Sequence, residues 1–169
     1  MATTDLSVYD KATIPNAKDF RFGIVVSEWN EKITEGLYKG AQQALIDNGV
    51  APEDIIRVNV PGSFELTFGA SMLAETTNVD AIITLGSIIQ GETKHFDFVC
   101  QGVSNGITQL NISLDIPVIF GVLTDNTMQQ AIDRSGGKHG NKGIECAIAC
   151  VKMIALQDDI ESTFPNTIA

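Results

Sequence analysis

The chain is predicted to fold as an α/β protein, a three-layer α/β/α sandwich around a four-stranded parallel sheet. Two observations carry that expectation. Four short runs, Phe20–Ser27, Asp54–Val60, Ala81–Ile89 and Pro117–Leu123, are mostly apolar, as strands buried on both faces must be. Between them lie segments whose apolar residues recur at helical spacing. Strands alternating with amphipathic helices build parallel sheets covered on both faces through right-handed crossovers. Ligands of such sheets bind at the carboxyl edge of the strands, so function is sought in the strand-to-helix loops.

Residues 1–19 are polar and weakly patterned and read as an N-terminal arm that docks elsewhere. The first helix is expected from about Ile33 to Asn48, with Ile33, Leu37, Ala41, Ala44 and Leu45 on one face. Asn48-Gly49 closes it through a left-handed cap. Pro61-Gly62 stops the second strand, and a helix follows from about Glu65 to Thr76 with Leu66, Gly69, Ala70 and Leu73 inward. The third helix, Phe96–Ser113, carries Val99, Val103, Ile107 and Leu110 as its stripe. Pro117 is tolerable at the first position of the fourth strand. Two helices end the pattern, Thr127–Ser135 and Lys142–Leu156, joined by a glycine-rich linker, Gly136–Gly143. The domain is therefore 20–157, followed by a tail, 158–169.

At 169 residues the chain makes one domain, long enough to bury roughly 70% of its unfolded surface. Its 21 acidic residues against 11 basic ones argue against a nucleic-acid partner, because phosphate backbones need clustered cations. A small anionic substrate is compatible with that balance, since a few local donors outweigh a screened global charge. A hydrophobic share of 44% beside a net charge of −10 points to apolar surface buried between subunits. No apolar run approaches the roughly 18 residues that span a bilayer, so no membrane partner is expected. MATTDLSVYDKATIP has neither the basic start nor the apolar core of an export signal, and a cytoplasmic location is expected. Cys100, Cys146 and Cys150 sit within apolar patterns and read as core residues of a reduced protein rather than metal ligands.

The most informative stretch is Ala81–Asp97, AIITLGSIIQGETKHFD. An apolar strand ends in small residues, then Gly91-Glu92-Thr93, then His95 at a helix start. Helix N-termini offer unpaired amides and a favourable dipole to anions. With the Thr93 hydroxyl and the His95 imidazole beside them, chemistry on a small phosphorylated molecule is one reading; an ordinary turn with a surface histidine is the other. After the first strand come Glu28-Trp29-Asn30, with the protein's single tryptophan. It can stack on a planar heterocycle or seal the end of the core. After the second strand, Ser63 can cap the helix, and Glu65 can accept hydroxyl donors or simply suit an acidic first turn. Thr124-Asp125-Asn126 suits a helix cap. Arg134 ends the fourth helix, where a cation favours the dipole and a guanidinium can also clamp phosphate. GGKHGNKG, residues 136–143, is not a phosphate loop of the Walker type, since no GK[ST] follows at the right spacing and no strand precedes it. His139 within it is expected to be solvated. GxGxxG is absent, which argues against a dinucleotide cofactor.

Five pieces together, GIVVSEWN, VPGSFEL, AIITLGSIIQGETKHFDFV, PVIFGVLT and DRSGGKHGNKG, resemble the lumazine synthase family from about Phe20 to Leu156, in order and at the family's spacings. The resemblance implies a flavodoxin-like subunit assembled into pentamers with active sites between neighbours. It implies condensation of 5-amino-6-(D-ribitylamino)uracil with 3,4-dihydroxy-2-butanone 4-phosphate to 6,7-dimethyl-8-ribityllumazine, releasing phosphate and water, a step of riboflavin biosynthesis. No metal or organic cofactor is implied. By position, Trp29 stacks on the pyrimidine; Ser63, Phe64, Glu65, Ser87, Ile88 and Ile89 line the uracil and ribityl pocket, with Asn30 beside them; and Phe120 comes from the adjacent subunit. Glu92 and Thr93 hold the phosphate through loop amides and the Thr hydroxyl, with Arg134 reaching in. His95 moves protons, and Lys142 lies close to the site.

Two positions depart from the family pattern: Gln90 stands where a basic residue is frequent before the GET loop, and Glu28 where Arg or a small residue is common. Both weaken positive potential near the site. The short Arg134–Gly143 linker resembles those of relatives whose pentamers build a sixty-subunit shell, and the arm is expected to add a strand to a neighbour's sheet. Association with riboflavin synthase is a further implication of the resemblance. The rival readings are a flavin-binding module of the same fold, or a shell protein that binds riboflavin without synthase activity. The acidic Glu28–Glu31 loop lacks the Ser/Thr/Gly-rich character a flavin phosphate needs after the first strand.

Overall fold

Side-chain alternation along the buried strands divides the core into two halves. In the computed structural model, which describes residues 5–164, β1 (Phe22–Ser27), β2 (Ile55–Val60), β3 (Ala81–Ile89) and β4 (Val118–Asp125) form one parallel sheet in the order β2-β1-β3-β4. Phe22, Ile24 and Val26 of β1 and Ala81, Ile83 and Leu85 of β3 face one side, where they meet α1 (Glu31–Asp47), α4 (Met128–Arg134) and α5 (Lys142–Thr163). Val25, Ile82 and Ile88 face the other, against α2 (Leu66–Thr76) and α3 (His95–Ser113). The three-layer sandwich expected from the sequence is the one observed.

Local chemistry sets the helix ends. Gly49 has φ +104°, and its N–H donates to the Ile46 carbonyl at 3.0 Å while that of Val50 donates to the Leu45 carbonyl at 3.1 Å. That is a left-handed cap with both of its hydrogen bonds, as Asn48-Gly49 foretold. α4 starts with a capping box between Thr127 and Gln130. Asn141 caps α5, accepting the Gly143 N–H at 2.8 Å, and its amide donates to the carbonyls of Gly36 (2.8 Å) and Ser135 (3.2 Å). Where α5 crosses α1, a Cβ on Gly143 would lie 1.9 Å from the Leu37 carbonyl oxygen, so only glycine permits the approach.

Three details differ from the sequence expectation. The glycine-rich linker is a small antiparallel hairpin, β5 (Ser135–Gly137) with β6 (Gly140–Asn141), turned by Gly140 at φ +83°. His139 in its turn is half-buried rather than solvated, with Nδ1 buried and unpaired. α5 runs to Thr163, past the expected end at Leu156, with Met153, Leu156 and Ile160 spaced as an exposed apolar stripe. Within its own subunit the described part of the arm forms no strand. It meets its own chain at two points: the Leu6 N–H donates to the His139 carbonyl at 3.3 Å, and the Asn48 side-chain amide donates to the Tyr9 hydroxyl at 3.2 Å. Cys146 and Cys150 are core residues, and burial pushes the Cys146 thiol up to about 11. Among the described residues no helix is long and apolar enough to cross a membrane.

Candidate active site

The strand order reverses between β1 and β3: β2 lies on one side of β1, and β3 with β4 on the other. The crevice at such a switch point is where a doubly wound sheet holds its ligand. A cleft of about 750 Å³ opens there. Its walls come from three strand-to-helix connections. Trp29 and Asn30 follow β1, Gly62 to Glu65 follow β2, Ser87 to Ile89 end β3, and Gly91, Thr93, His95, Phe96, Phe98 and Val99 lead into α3.

Each wall has a structural cause. The Trp29 N–H donates to the Pro61 carbonyl at 3.2 Å, extending the β1–β2 ladder beyond the sheet and leaving the indole 72% exposed over the cleft. Of the two sequence readings, sealing the core is thereby ruled out. Ser63 does not cap α2; its Oγ, like that of Ser87, is buried without a partner. Ser63 Oγ would lie 2.5 Å from a Cβ on Gly86, so the bare backbone of β3 is what lets this hydroxyl sit in the cleft floor. The Glu65 carboxylate folds back over Gly62, toward the indole edge. At the far end, Thr93 Oγ1 accepts the His95 N–H at 3.3 Å, and α3, a 19-residue helix, begins with no side-chain cap at Lys94. Of the first-turn N–H groups, that of His95 is taken by Thr93 and those of Asp97 and Phe98 by the Lys94 carbonyl, which leaves the Phe96 amide for a ligand.

The cleft thus gathers Trp29, Asn30, Ser63, Phe64, Glu65, Ser87, Ile88, Ile89, Thr93 and His95. Four expected site residues stay outside its lining. Glu92 is exposed between its lining neighbours Gly91 and Thr93. Phe120 borders a separate depression of about 200 Å³ with Ser104, Thr108 and Asn111. Arg134 does not reach in: its guanidinium donates to Glu145 Oε1 at 2.6 Å and to the His139 carbonyl at 2.8 Å. Lys142 Nζ donates to the other Glu145 oxygen at 3.0 Å. Asp125, read as a cap, instead ends β4 with Oδ2 buried and unpaired; burial raises its carboxyl, and Arg134 nearby opposes the rise.

Sequence reasoning missed two groups. Phe98 and Val99 join His95 on one face of α3, and their spacing of three and four residues from His95 was the available signal. Glu145 and the His139 carbonyl hold Arg134; no motif marks them, because the contact depends on the hairpin turning back.

By its fold and the place of its cleft, the molecule falls in the class of doubly wound α/β/α enzymes that act on small molecules at the carboxyl edge of a parallel sheet. The family profile described as 6,7-dimethyl-8-ribityllumazine synthase matches residues 19–158. A protein of that name from Flavobacterium johnsoniae is 65% identical over 98% of this chain and 88% of its own length. The one from Christiangramia forsetii is 64% identical over 94% and 96%, and that from Parabacteroides distasonis 55% identical over 91% and 98%. The chain belongs to the 6,7-dimethyl-8-ribityllumazine synthase family.

Proposed function

We propose that the cleft at the β1–β3 switch point is where this chain performs its family's reaction, the riboflavin-pathway condensation of 5-amino-6-(D-ribitylamino)uracil with 3,4-dihydroxy-2-butanone 4-phosphate. The observation that carries the assignment is the convergence of an exposed indole, two unpaired floor hydroxyls, and an uncapped helix start bearing His95 on one cavity. Trp29 stacks on the pyrimidine, Ser63 and Ser87 take its polar edge, Glu65 meets the ribityl hydroxyls, and the Gly91–Thr93 loop holds the phosphate. The substrate's amine attacks the ketone, water leaves to give an imine, phosphate is eliminated, and ring closure expels a second water. His95 relays the protons, work that suits an imidazole near neutral pH. Holding both substrates in register can remove on the order of 7–11 kcal/mol of barrier.

Phe120, Arg134 and Lys142, which lie outside their own subunit's cleft, are supplied to a neighbour's cleft in a homopentamer. Support comes from the apolar surface a lone subunit leaves open: Phe64 and Phe98, which line the cleft, are 58% and 69% exposed, and Phe68 on α2 is 71% exposed. A sixty-subunit shell of twelve pentamers, arms added to neighbouring sheets, riboflavin synthase as an associate and a cytoplasmic location complete the proposal. The flavin-module and inactive-shell readings are not favoured by the family to which the chain belongs. Mixing the purified protein with both substrates tests the assignment: lumazine fluorescence and inorganic phosphate should appear together, and their absence refutes it. Sedimentation as a monomer would overturn the shared site.

A further inference from the structure

Among the described residues, Asn30 is the one residue other than glycine with positive φ, at φ 58° and ψ 44°. It is also the N-cap of α1, its carbonyl accepting the N–H groups of Ile33 and Thr34 at 2.7 and 3.1 Å. An N-cap asparagine ordinarily has extended backbone and turns its side chain onto the helix amides. Asn30 does neither. Its side chain makes no cap bond and instead sends Nδ2 across the switch point to the Ser87 carbonyl at 2.9 Å. A left-handed backbone and a forgone cap are both unfavourable locally, and such costs persist where a site requires them.

We infer that Asn30 is a positioning residue: its left-handed backbone together with its amide bridge to Ser87 holds the Trp29 indole over the cleft. The chain is anchored toward β2 through Glu28 N–H to the Val60 carbonyl (2.9 Å) and Trp29 N–H to the Pro61 carbonyl. One residue later it must leave the sheet and enter α1. The left-handed step makes that turn, and the amide ties it to β3. Trp29 is thus fixed from both sides although its ring is largely unpacked, and the wall of the cleft is joined to the strand that carries the Ser87 hydroxyl of its floor. The residue type follows. Glycine supplies the backbone without the bridge; aspartate tolerates the backbone but presents oxygen to the Ser87 oxygen; asparagine does both.

The role rests on the reading that Trp29 stacks on the pyrimidine, and the test separates the two. Because the chain has one tryptophan, time-resolved fluorescence anisotropy of the full-length protein reports the motion of that ring alone, without catalysis. Asn30→Gly and Asn30→Asp should both enlarge the fast local component, Asp at least as much as Gly. KM for the ribitylaminouracil should rise about fivefold, the loss of one hydrogen bond's worth of ordering, while KM for the butanone phosphate moves less than about twofold. Anisotropy unchanged in both variants overturns the inference. So does an equal rise of both KM values, which is general loosening. If Trp29→Ala leaves the ribitylaminouracil KM unchanged, the stacking reading falls, while the anisotropy comparison still decides what Asn30 does.

Discussion

Ser63→Ala and Ser87→Ala should each stabilise the substrate-free protein while weakening its hold on the pyrimidine substrate. Both residues are nearly sealed from solvent, at 6% and 3% exposure, and neither Oγ has a partner. A buried hydroxyl left unbonded costs about 1–3 kcal/mol, and alanine removes the oxygen while leaving a gap of a single atom. Taking about 1–2 kcal/mol, each variant should unfold about 2–8 °C higher, because 1 kcal/mol moves Tm by about 2–4 °C in a chain of this size. On the proposed assignment the same oxygens bond the ligand, so losing one should raise KM for the ribitylaminouracil about fivefold. Scanning calorimetry of the free protein and steady-state kinetics measure the two effects. A Tm at or below that of the parent protein would mean the hydroxyl is already satisfied without substrate, and a floor poised for ligand would be the wrong description. Opposite signs for stability and affinity are the signature of a site that holds unsatisfied groups for use.

His95→Ala should lower kcat about 10²–10³-fold with sedimentation unchanged, since imidazole proton transfer carries factors of this order; full turnover would remove its role. Arg134→Ala should raise KM for the butanone phosphate and leave that for the ribitylaminouracil in place, and equal losses on both substrates would count against a phosphate role. Gln90→Arg should lower KM for the phosphorylated substrate; no improvement would refute the electrostatic reading of that position. The Arg57 guanidinium bonded to Glu35 holds the Glu35 carboxyl below its ordinary value. That pair contributes stability above the ordinary carboxylate range and loses it as pH falls through the lowered value. The gap in Tm between the parent protein and Glu35→Gln should therefore shrink from pH 7 toward pH 3, and a constant gap would contradict the ion pair.

How much was legible in the sequence depended on how local the cause was. Strand burial, helix stripes and the Gly49 cap depend on residues within a few positions of one another, and the structure has them where periodicity and turn chemistry put them. Most of the cleft was equally legible, because a parallel sheet forces its strand-to-helix loops to one edge and three of those loops carry the residues that line it. What escaped was set by contacts distant in sequence. Asn30 bonds a carbonyl 57 residues away, and Asn141 bonds one 105 residues away. Gly136–Gly143 read as an open linker because two glycine-poor flanks are needed to suggest a hairpin, and here the strands themselves are glycine. α5 outran its expected end because an exposed apolar stripe looks, by pattern alone, like the start of a tail.

The cleft of a single subunit offers an exposed indole, two buried hydroxyls and the start of α3, but Arg134, the proposed phosphate ligand, is engaged elsewhere. The Arg134 side chain is 18% exposed and bound at both terminal nitrogens, and Glu145, which holds it, also holds Lys142. A guanidinium so held is ordered before substrate arrives, which lowers the entropic cost of recruiting it, provided a phosphate is presented from the side it faces. Its own cleft does not present one, because Arg134 lies outside that lining. Trp29, Phe64 and Phe98, meanwhile, stand open on the cleft's rim. A cleft whose lining holds no lysine or arginine, on a molecule that keeps Arg134 and Lys142 outside it, fits the proposed division of the site between two copies. Orientation of two bound substrates supplies rate only when both are confined, and under the proposed assembly the second copy completes that confinement.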